Sequence, residues 1–433
     1  MKKYTAFILA LALLLCGCGA ARSDGEGFTP EYPTLSPTEP EDPQAILSYR
    51  RDVVEQAMRE QSAILWTPTE DITYSMRGNS LGVEADSEEY PDDVVTLKAG
   101  KVYQGIPYTH GSGSYYSWLA YAVAQDEHGI YTLSGITDQH LTGKSAYKEN
   151  NCARLGNDCA DQLFWAWGRI SSTIQFSGTV TMTDFYGCLK VGDYDCVGTT
   201  FDAANNTKVI VKENGEQRMF AAYGCLQKGD AMVLVNQYNE GHAVMVVTGE
   251  TVYNEDGTID GEKSYVTVLE QTTGCERNWD CHYDNQLKKW VYPCEIMDKK
   301  WSYNTLFKKG YLPVTCKELV DPAPLAAPVI TDYTDAPTVD NMFGGVVECN
   351  YRFSSITVTV TKDGKALQKV TCFGHQNEMF AFNLFRFTKE AEEPVMLGSL
   401  DLDALESGSY HCTFDARIST GQVIRFRDFD FSK

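Results

Sequence analysis

The sequence has few positive charges and only one long apolar run. Its 433 residues include 37 Lys and Arg against 59 Asp and Glu, so the formal net charge is −22. With no run of Lys and Arg to offset this charge, the chain lacks the cationic surface that neutralises phosphates, and we expect no nucleic-acid partner. The apolar run covers the 10 residues 6–15, whereas a helix that crosses a bilayer needs roughly 20. The run therefore does not predict a membrane span.

The sequence also lacks the paired cysteines of a structural zinc site. Cys275, Cys281, His282 and Cys294 lie close along the chain, but no C-x-x-C pair occurs among them, and such pairs are typical of structural zinc sites. We therefore expect no metal and no cofactor. Disulfides are the more ordinary use of 14 cysteines in an exported protein, although their spacing does not define the connectivity.

The front of the chain has the form of an export signal. Lys2 and Lys3 precede the apolar run, which ends in Leu-Cys-Gly-Cys at residues 15–18, and this order is typical of a secretory signal peptide. The tetrapeptide resembles the bacterial lipobox, in which a cysteine after a small residue is lipidated. We expect residues 1–18 to be a lipoprotein signal peptide and Cys18 to carry the lipid, so that the protein is extracytoplasmic and anchored to the bacterial cell membrane. Cleavage without lipidation is the alternative.

Two proline-rich stretches divide the rest of the chain. Residues 19–41 contain four prolines among Thr, Ser, Glu and Gly, and we predict a disordered stalk because this composition buries little apolar surface. Residues 321–328 contain three prolines and three alanines and predict a linker. Between them, residues 42–320 are expected to form an N-terminal helix, capped by Asp42, and a catalytic domain. Residues 329–433 are expected to form an accessory domain.

The middle region mixes helical and strand patterns. Residues 158–170 predict a helix, and three apolar segments at 231–235, 242–247 and 265–269 predict strands. A helix before several neighbouring strands predicts an α+β fold with an antiparallel sheet. We expect the first strand after this helix to begin near Lys208.

Alternating polar and apolar residues dominate the C-terminal region. Residues 356–362 alternate up to Asp363-Gly364, which is a hairpin signal. Residues 410–418 and 423–431 alternate in the same way. Short strands of this kind predict a β-sandwich, for which an immunoglobulin-like arrangement is one candidate.

Four polar residues stand at the ends of predicted elements in the middle region. Cys159 comes at the start of the predicted helix, where free N–H groups and the helix dipole favour a thiolate. His242 begins an apolar strand, and its ring is suited to take the thiol proton. Glu270 and Gln271 end the next strand, where a polar side chain can orient that ring. We expect Glu270 to be the third residue, because alternation places it on the more apolar face; Gln271 is the alternative.

These motifs resemble the NlpC/P60 superfamily of papain-like cell-wall hydrolases, including its CHAP branch. The matching elements are, in chain order, the Gly-Ile-Pro-Tyr of residues 105–108, Asp158-Cys159-Ala160, Gly229-Asp230 and Gly241-His242. The resemblance covers about residues 100–275. It implies a papain-like domain in which the helix bearing Cys159 packs on an antiparallel sheet, with His242 and Glu270 completing a triad and Tyr108 near the substrate or the oxyanion.

The spacing differs from that family at one place. In the family the tyrosine lies roughly a dozen residues before the cysteine, whereas 50 residues lie between Tyr108 and Cys159 here. We expect the extra segment, residues 113–155, to form a wall of the substrate site.

The resemblance implies a cysteine peptidase or amidase that acts on peptidoglycan or wall peptides. Two alternatives use the same scaffold: a non-catalytic wall-binding or adhesion lipoprotein, and a cysteine acyltransferase. We also expect residues 325–433 to fold on their own and to be dispensable for hydrolysis of small soluble substrates.

Overall fold

The computed structural model describes residues 39–75, 94–109, 113, 115–137, 141, 155–172, 174, 178–200, 202–238, 241–272, 281–334, 344–373, 379–383 and 396–433. The predicted signal peptide, Cys18 and most of the predicted stalk lie outside these residues. Within them the fold is α+β, as predicted. No helix in the described ranges combines the length and the apolar character that a membrane crossing needs.

The helices alternate with short strands along the chain. In chain order the helices are α1 (Pro43–Ser62), α2 (Tyr115–Leu119), α3 (Cys159–Trp167), α4 (Thr179–Thr183), α5 (Thr207–Asn214), α6 (Glu216–Gly224) and α7 (Tyr303–Lys309). The first half of the strands are β1 (Leu65–Pro68), β2 (Ile72–Ser75), β3 (Val94–Leu97), β4 (Val102–Gln104), β5 (Ala122–Gln125), β6 (Tyr131–Leu133), β7 (Cys188–Lys190), β8 (Ala231–Val235), β9 (Gly241–Glu250), β10 (Tyr265–Gln271) and β11 (His282–Asp284). The second half are β12 (Lys289–Pro293), β13 (Glu295–Ser302), β14 (Leu312–Cys316), β15 (Ile330–Asp332), β16 (Gly344–Cys349), β17 (Phe353–Lys362), β18 (Lys365–Phe373), β19 (Met379–Asn383), β20 (Met396–Ser399), β21 (Ser409–Ile418) and β22 (Val423–Ser432).

A six-stranded sheet, here called the central sheet, carries three of the predicted site residues, namely His242 on β9 and Glu270 and Gln271 on β10. Its order is β13-β10-β9-β8-β14-β7, and every pair of neighbours is antiparallel, as predicted. Helices α1 and α3 pack against each other, and α3 also packs on β9 and β10. The apolar side chains of these elements form the main core. A helix and a sheet that each bury one apolar face in this way form one layered unit.

Helix α1 begins where the sequence predicted. The Asp42 side chain accepts hydrogen bonds from the amides of Gln44 and Ala45, at 2.9 Å each, and Pro43 opens the first turn. These residues satisfy or remove amides that a helix start leaves unpaired.

A second six-stranded sheet flanks the central one and has the order β11-β12-β4-β1-β6-β5. It is mixed, because β6 runs parallel to β1 and β12 runs parallel to β4. Part of it comes from the segment that we expected to wall the substrate site. Trp118 of that segment is fully buried, with its ring centroid 4.8 Å from that of Trp66. Residues 115–120 of the segment are therefore built into the core, whereas residues 123–128 are exposed.

The expectation of a strand at Lys208 is wrong, because this residue lies in the first turn of helix α5. The Asn206 side chain accepts hydrogen bonds from the amides of Lys208 and Val209. This cap satisfies two amides at the helix start, and Gly215 follows the last turn. The apolar residues Ile210 and Val211 then face the core as a helix rather than as a strand.

The C-terminal region forms two antiparallel sheets, here called the C-terminal sheets. One has the order β15-β16-β19 and the other β20-β18-β17-β21-β22. The predicted hairpin is present between β17 and β18. Its turn residues, Asp363 and Gly364, have φ values of 52° and 76°. Two left-handed residues in a two-residue turn match the twist of the paired strands.

Candidate active site

Cys159 is the first residue of helix α3, and Asp158 caps the helix. The Asp158 side chain accepts hydrogen bonds from the amides of Ala160 and Asp161, at 2.9 Å each. The backbone at Asp158 is extended, so the chain turns into the helix at the cysteine itself. Cys159 is 4% exposed. The predicted nucleophile therefore lies at the positive end of the helix dipole.

His242 lies on β9 and contacts both other members of the predicted triad. Its Nε2 is 2.9 Å from Oε1 of Glu270, and Cys159 lies close enough to the ring to raise the pKa of the imidazole. Burial opposes a charge on the ring, but Cys159 and Glu270 outweigh it and raise the pKa of His242 to about 10. The imidazole therefore carries a proton at neutral pH and lies between a sulfur and a carboxylate.

The glycine before His242 is required by packing. A Cβ atom at Gly241 would lie 1.7 Å from Oγ1 of Thr179 in helix α4. Any side chain at this position would push the strand away from that helix. The Gly-His motif thus sets the start of β9 and, with it, the position of the imidazole.

Glu270 has a charged neighbour on each side. His242 binds Oε1, and Nζ of Lys299 is 3.7 Å from Oε2. Burial works against ionisation of this carboxyl, yet the hydrogen bond and charge of His242, aided by Lys299, keep the pKa of Glu270 below its usual value. The side chain is 9% exposed. It is therefore a buried carboxylate that carries its negative charge at neutral pH.

Gln271, the alternative third residue, makes different contacts. Its Nε2 donates to the carbonyl oxygens of Ile106, at 2.8 Å, and Asn157, at 3.3 Å. The structure brings Glu270, and not Gln271, to His242. Strand β10 is irregular here, with a register shift between Val268 and Glu270 against β13.

Tyr108 comes close to the nucleophile in space despite the long insertion. Its backbone forms an isolated parallel bridge with Asn157, two residues before Cys159. The amide of Thr109 donates to the Asn157 carbonyl at 3.0 Å, and the amide of Asn157 donates to the Pro107 carbonyl at 3.2 Å. The segments before and after the insertion, at Tyr108 and Asn157, are therefore adjacent in space.

The Gly229-Asp230 motif has a structural role, because it connects helix α1 to the central sheet. Gly229 has a φ of 84°. The Asp230 carboxylate accepts from Arg51 of α1, at 2.9 Å, from the amide of Gln227, at 2.7 Å, and from the hydroxyl of Thr315 in β14, at 2.6 Å. Burial raises the pKa of Asp230 although Arg51 opposes the shift. The motif ties helix α1 to the central sheet.

A further buried carboxyl group, Glu295, contacts helix α3, and the sequence analysis did not identify it. It accepts hydrogen bonds from Ser62 of α1, at 2.5 Å, from Gln162 of α3, and from the amide of Ile106, at 3.1 Å. Burial raises the pKa of Glu295 to about 7. In the sequence it stands just before a run of charged residues, and no local signal separates it from an exposed carboxylate.

Two of the cysteines considered for zinc are in different chemical states in the part of the chain that the structure describes. Cys294 is disulfide-bonded and Cys281 is a free thiol, while Cys275 lies outside the described residues. Across the part of the chain that the structure describes, no group of three or more His, Cys, Asp and Glu is arranged to hold a metal ion.

Comparisons of this chain with protein-family models, with curated proteins and with solved structures find no match. The resemblance of its motifs to NlpC/P60 proteins stays a hypothesis. The candidate site rests on the geometry of Cys159, His242 and Glu270.

Proposed function

We propose that the protein is a cysteine peptidase or amidase that hydrolyses amide bonds of cell-wall peptides. The contact of His242 with both Cys159 and Glu270 carries the proposal. A thiol at a helix start, a histidine that can exchange a proton with it, and a carboxylate that orients the histidine are the parts of a cysteine hydrolase.

The reaction proceeds in two steps, acylation of Cys159 and hydrolysis of the resulting thioester. The Cys159 thiolate attacks the substrate carbonyl and forms a C–S bond, and the imidazolium of His242 gives its proton to the leaving nitrogen as the C–N bond breaks. Water then attacks the thioester while His242 takes one of its protons. The C–S bond breaks, which releases a carboxylic acid and restores the thiolate.

The oxyanion of the tetrahedral intermediate needs hydrogen-bond donors near the sulfur. The Asp158 cap binds the amides of Ala160 and Asp161, and the amide that precedes them at the helix start is that of Cys159. We assign this amide to the oxyanion, with Tyr108 close by on the neighbouring segment.

The proposal extends to the fold types of the two regions of the chain. Residues 42–320 are assigned to a papain-like domain of the NlpC/P60 type, because a cysteine-bearing helix packs on an antiparallel sheet with the histidine and the carboxylate on neighbouring strands. Residues 329–433 are assigned to a β-sandwich, with the immunoglobulin-like arrangement as the candidate topology, because two antiparallel sheets share one apolar core.

The test uses purified peptidoglycan and mass spectrometry of the fragments that the protein releases. We expect soluble peptides with a new carboxyl end, and none from Cys159→Ser. Cys225→Ser is the matched control, because Cys225 is an exposed free thiol at the C-terminal end of another helix, α6. Intact protein that releases no fragment and binds the wall equally well with and without Cys159 would overturn the proposal in favour of an adhesion protein. An added amine that appears in the product would show acyl transfer instead of hydrolysis.

We further propose that a lipid anchors the protein to the outer face of the bacterial cell membrane. The lipobox-like sequence and the proline-rich stalk support lipidation at Cys18, and the lipid would tether an acidic protein near the wall. Cys18→Ala is expected to release the protein into the medium. Retention of this variant in salt-washed membranes would contradict lipidation as the anchor.

A further inference from the structure

The C-terminal sheets contact the helix that begins at Cys159. The guanidinium carbon of Arg352 lies 4.1 Å from the ring centroid of Phe164 in α3, and Nη2 of Arg352 donates to the Ile174 carbonyl at 3.1 Å. At the end of the helix, a Cβ atom at Gly168 would come within 3.1 Å of Cβ of Ser419. The amide of Ser419 in turn donates to the Arg352 carbonyl at 2.8 Å. The contact is thus close and anchored on both sides.

A second arginine reaches the same helix through aromatic rings. The guanidinium carbon of Arg417 lies 4.8 Å from the ring centroid of Tyr116. Tyr116 meets Trp165 of α3 edge to face, with centroids 5.1 Å apart. Both rings are buried, and cation–π contacts are stronger where water is excluded. Arg352, in the connection between β16 and β17, therefore contacts Phe164 of α3, and Arg417, in β21, contacts the ring that packs on the next residue, Trp165.

The predicted linker is fixed from both sides by hydrogen bonds. Arg50 of α1 is fully buried and donates to the carbonyl oxygens of Asp321 and Ala323, at 2.7 Å each. From the other side, the Tyr351 hydroxyl donates to the Ala326 carbonyl at 2.8 Å. A segment held in this way does not act as a flexible tether between independent domains.

We propose that the C-terminal sheets are part of the catalytic unit, and that Arg352 is a positioning residue that holds helix α3 so that Cys159 stays in contact with His242. The inference rests on the proposed function, since it concerns the same nucleophile. Phe164 is five residues from Cys159, which is about 7.5 Å along a helix axis, so a shift at Phe164 moves the cysteine with it. The packing argues against our expectation that residues 325–433 are dispensable for small substrates.

The experiment measures the rate at which iodoacetamide alkylates Cys159 in the full chain, followed by mass spectrometry of the peptide that contains it. Arg352→Ala is expected to slow alkylation and hydrolysis of a short soluble peptide about fivefold. Arg352→Lys, which keeps the cation, should restore much of the rate. Arg425→Ala is the control, because Arg425 pairs with Asp415 on the exposed surface of the same sheets.

A second variant covers the case in which Arg352→Ala fails to fold. Phe164→Leu removes the ring under Arg352 and keeps an apolar side chain in the core, so it should slow alkylation in the same way. Combined with Arg352→Ala it should add little further loss, since the two residues act through one contact. Wild-type alkylation in folded Arg352→Ala or Phe164→Leu, or a loss that Arg352→Lys does not restore, would overturn the inference.

The two proposals fail in different ways. Alkylation needs no substrate, so it reports on the position of Cys159 whatever the protein hydrolyses. An unmodified protein that cleaves no wall peptide, but whose alkylation depends on Arg352, would overturn the proposed function alone. Cleavage that is indifferent to Arg352 would overturn the further inference alone.

Discussion

Two buried glutamates at one end of the central sheet have opposite electrostatic surroundings. Glu270 pairs with Ile296 across β10 and β13, and Glu295 pairs with Gln271 in the next register position. Glu270 lies beside the cations of His242 and Lys299, and its pKa is lowered against the effect of burial. Among the residues that the structure describes, the donors to Glu295 are all neutral, and burial raises the pKa of Glu295 to about 7. Burial alone therefore does not decide the charge of a carboxyl group; the charges of its neighbours do.

The two surroundings suit two uses. An ionised Glu270 can stabilise an imidazolium next to the nucleophile. Glu295, which is partly neutral near pH 7, joins α1, α3 and the segment at Ile106 behind the site.

Removing the imidazole should have the largest effect, because it takes away both the proton carrier and the main cation beside Glu270. We expect His242→Asn to lower kcat/KM by at least about a thousandfold. The pKa of Glu270 should rise, since its hydrogen-bonded cation is gone. Peptide hydrolysis and carboxyl titration by NMR measure the two effects. A variant that keeps a tenth of the wild-type activity would contradict the role of His242.

Neutralising the third residue should have a smaller but still large effect. Glu270→Gln is expected to lower kcat/KM roughly 10- to 100-fold. Glu270 raises the pKa of His242, so the alkaline limb of the pH–rate profile, where the imidazolium loses its proton, should move to lower pH. Gln271→Ala is the matched control and should change activity by less than about threefold. The opposite ranking would mean that Gln271 orients the ring.

Replacing the other glutamate should change stability rather than the chemical step. Glu295 titrates at about 7 when folded against an ordinary value of 4.5, so the stability it contributes is present below the ordinary value and is lost as pH rises through the folded value. We expect the free energy of unfolding to fall by up to about 3 kcal/mol between about pH 5 and 8. Glu295→Gln should flatten this part of the curve. Urea unfolding across that range measures the difference, and parallel curves for the two proteins would exclude Glu295 as its source.

Removing the lysine beside Glu270 should have the smallest effect. Lys299 is about half exposed, with 46% of its side chain accessible, so water and salt screen its charge. We expect Lys299→Met to lower activity by less than about threefold, more at low ionic strength than at high. Lys263→Met is the control, because Lys263 pairs with Asp260 just before β10 begins, at the end of that strand opposite to Glu270. Equal effects at both salt concentrations would show that Lys299 acts through packing instead of charge.

The individual elements of the site could be read from local sequence. Asp158 caps α3, and Cys159 begins it, because a short polar side chain can bind the amides two and three residues ahead. The apolar strand at His242 and the hairpin at Asp363 follow from patterns of a few neighbouring residues. The prediction of a strand at Lys208 was wrong because a local signal was not used. The Asn206 side chain caps a helix at this point, and the apolar residues that follow belong to that helix.

The choice between neighbouring residues was beyond local patterns. Strand alternation pointed to Glu270, but every residue from Val266 to Gln271 is buried and β10 changes register within this stretch. Because both faces of β10 are buried, alternation of polar and apolar residues cannot distinguish them. The packing of the sheet shows which side chain contacts His242.

Local sequence patterns indicated where the helix of the nucleophile starts, that three apolar segments of the middle region become strands, and which cysteine, histidine and carboxylate are candidates for one site. These features depend on residues within a few positions of one another. The tertiary structure alone decided that Lys299 lies beside Glu270, that Glu295 has only neutral partners, and that Arg352 lies over Phe164. Each of these contacts joins segments that are distant in the chain. Their strength depends on separation and burial in space, which no local pattern of residues records.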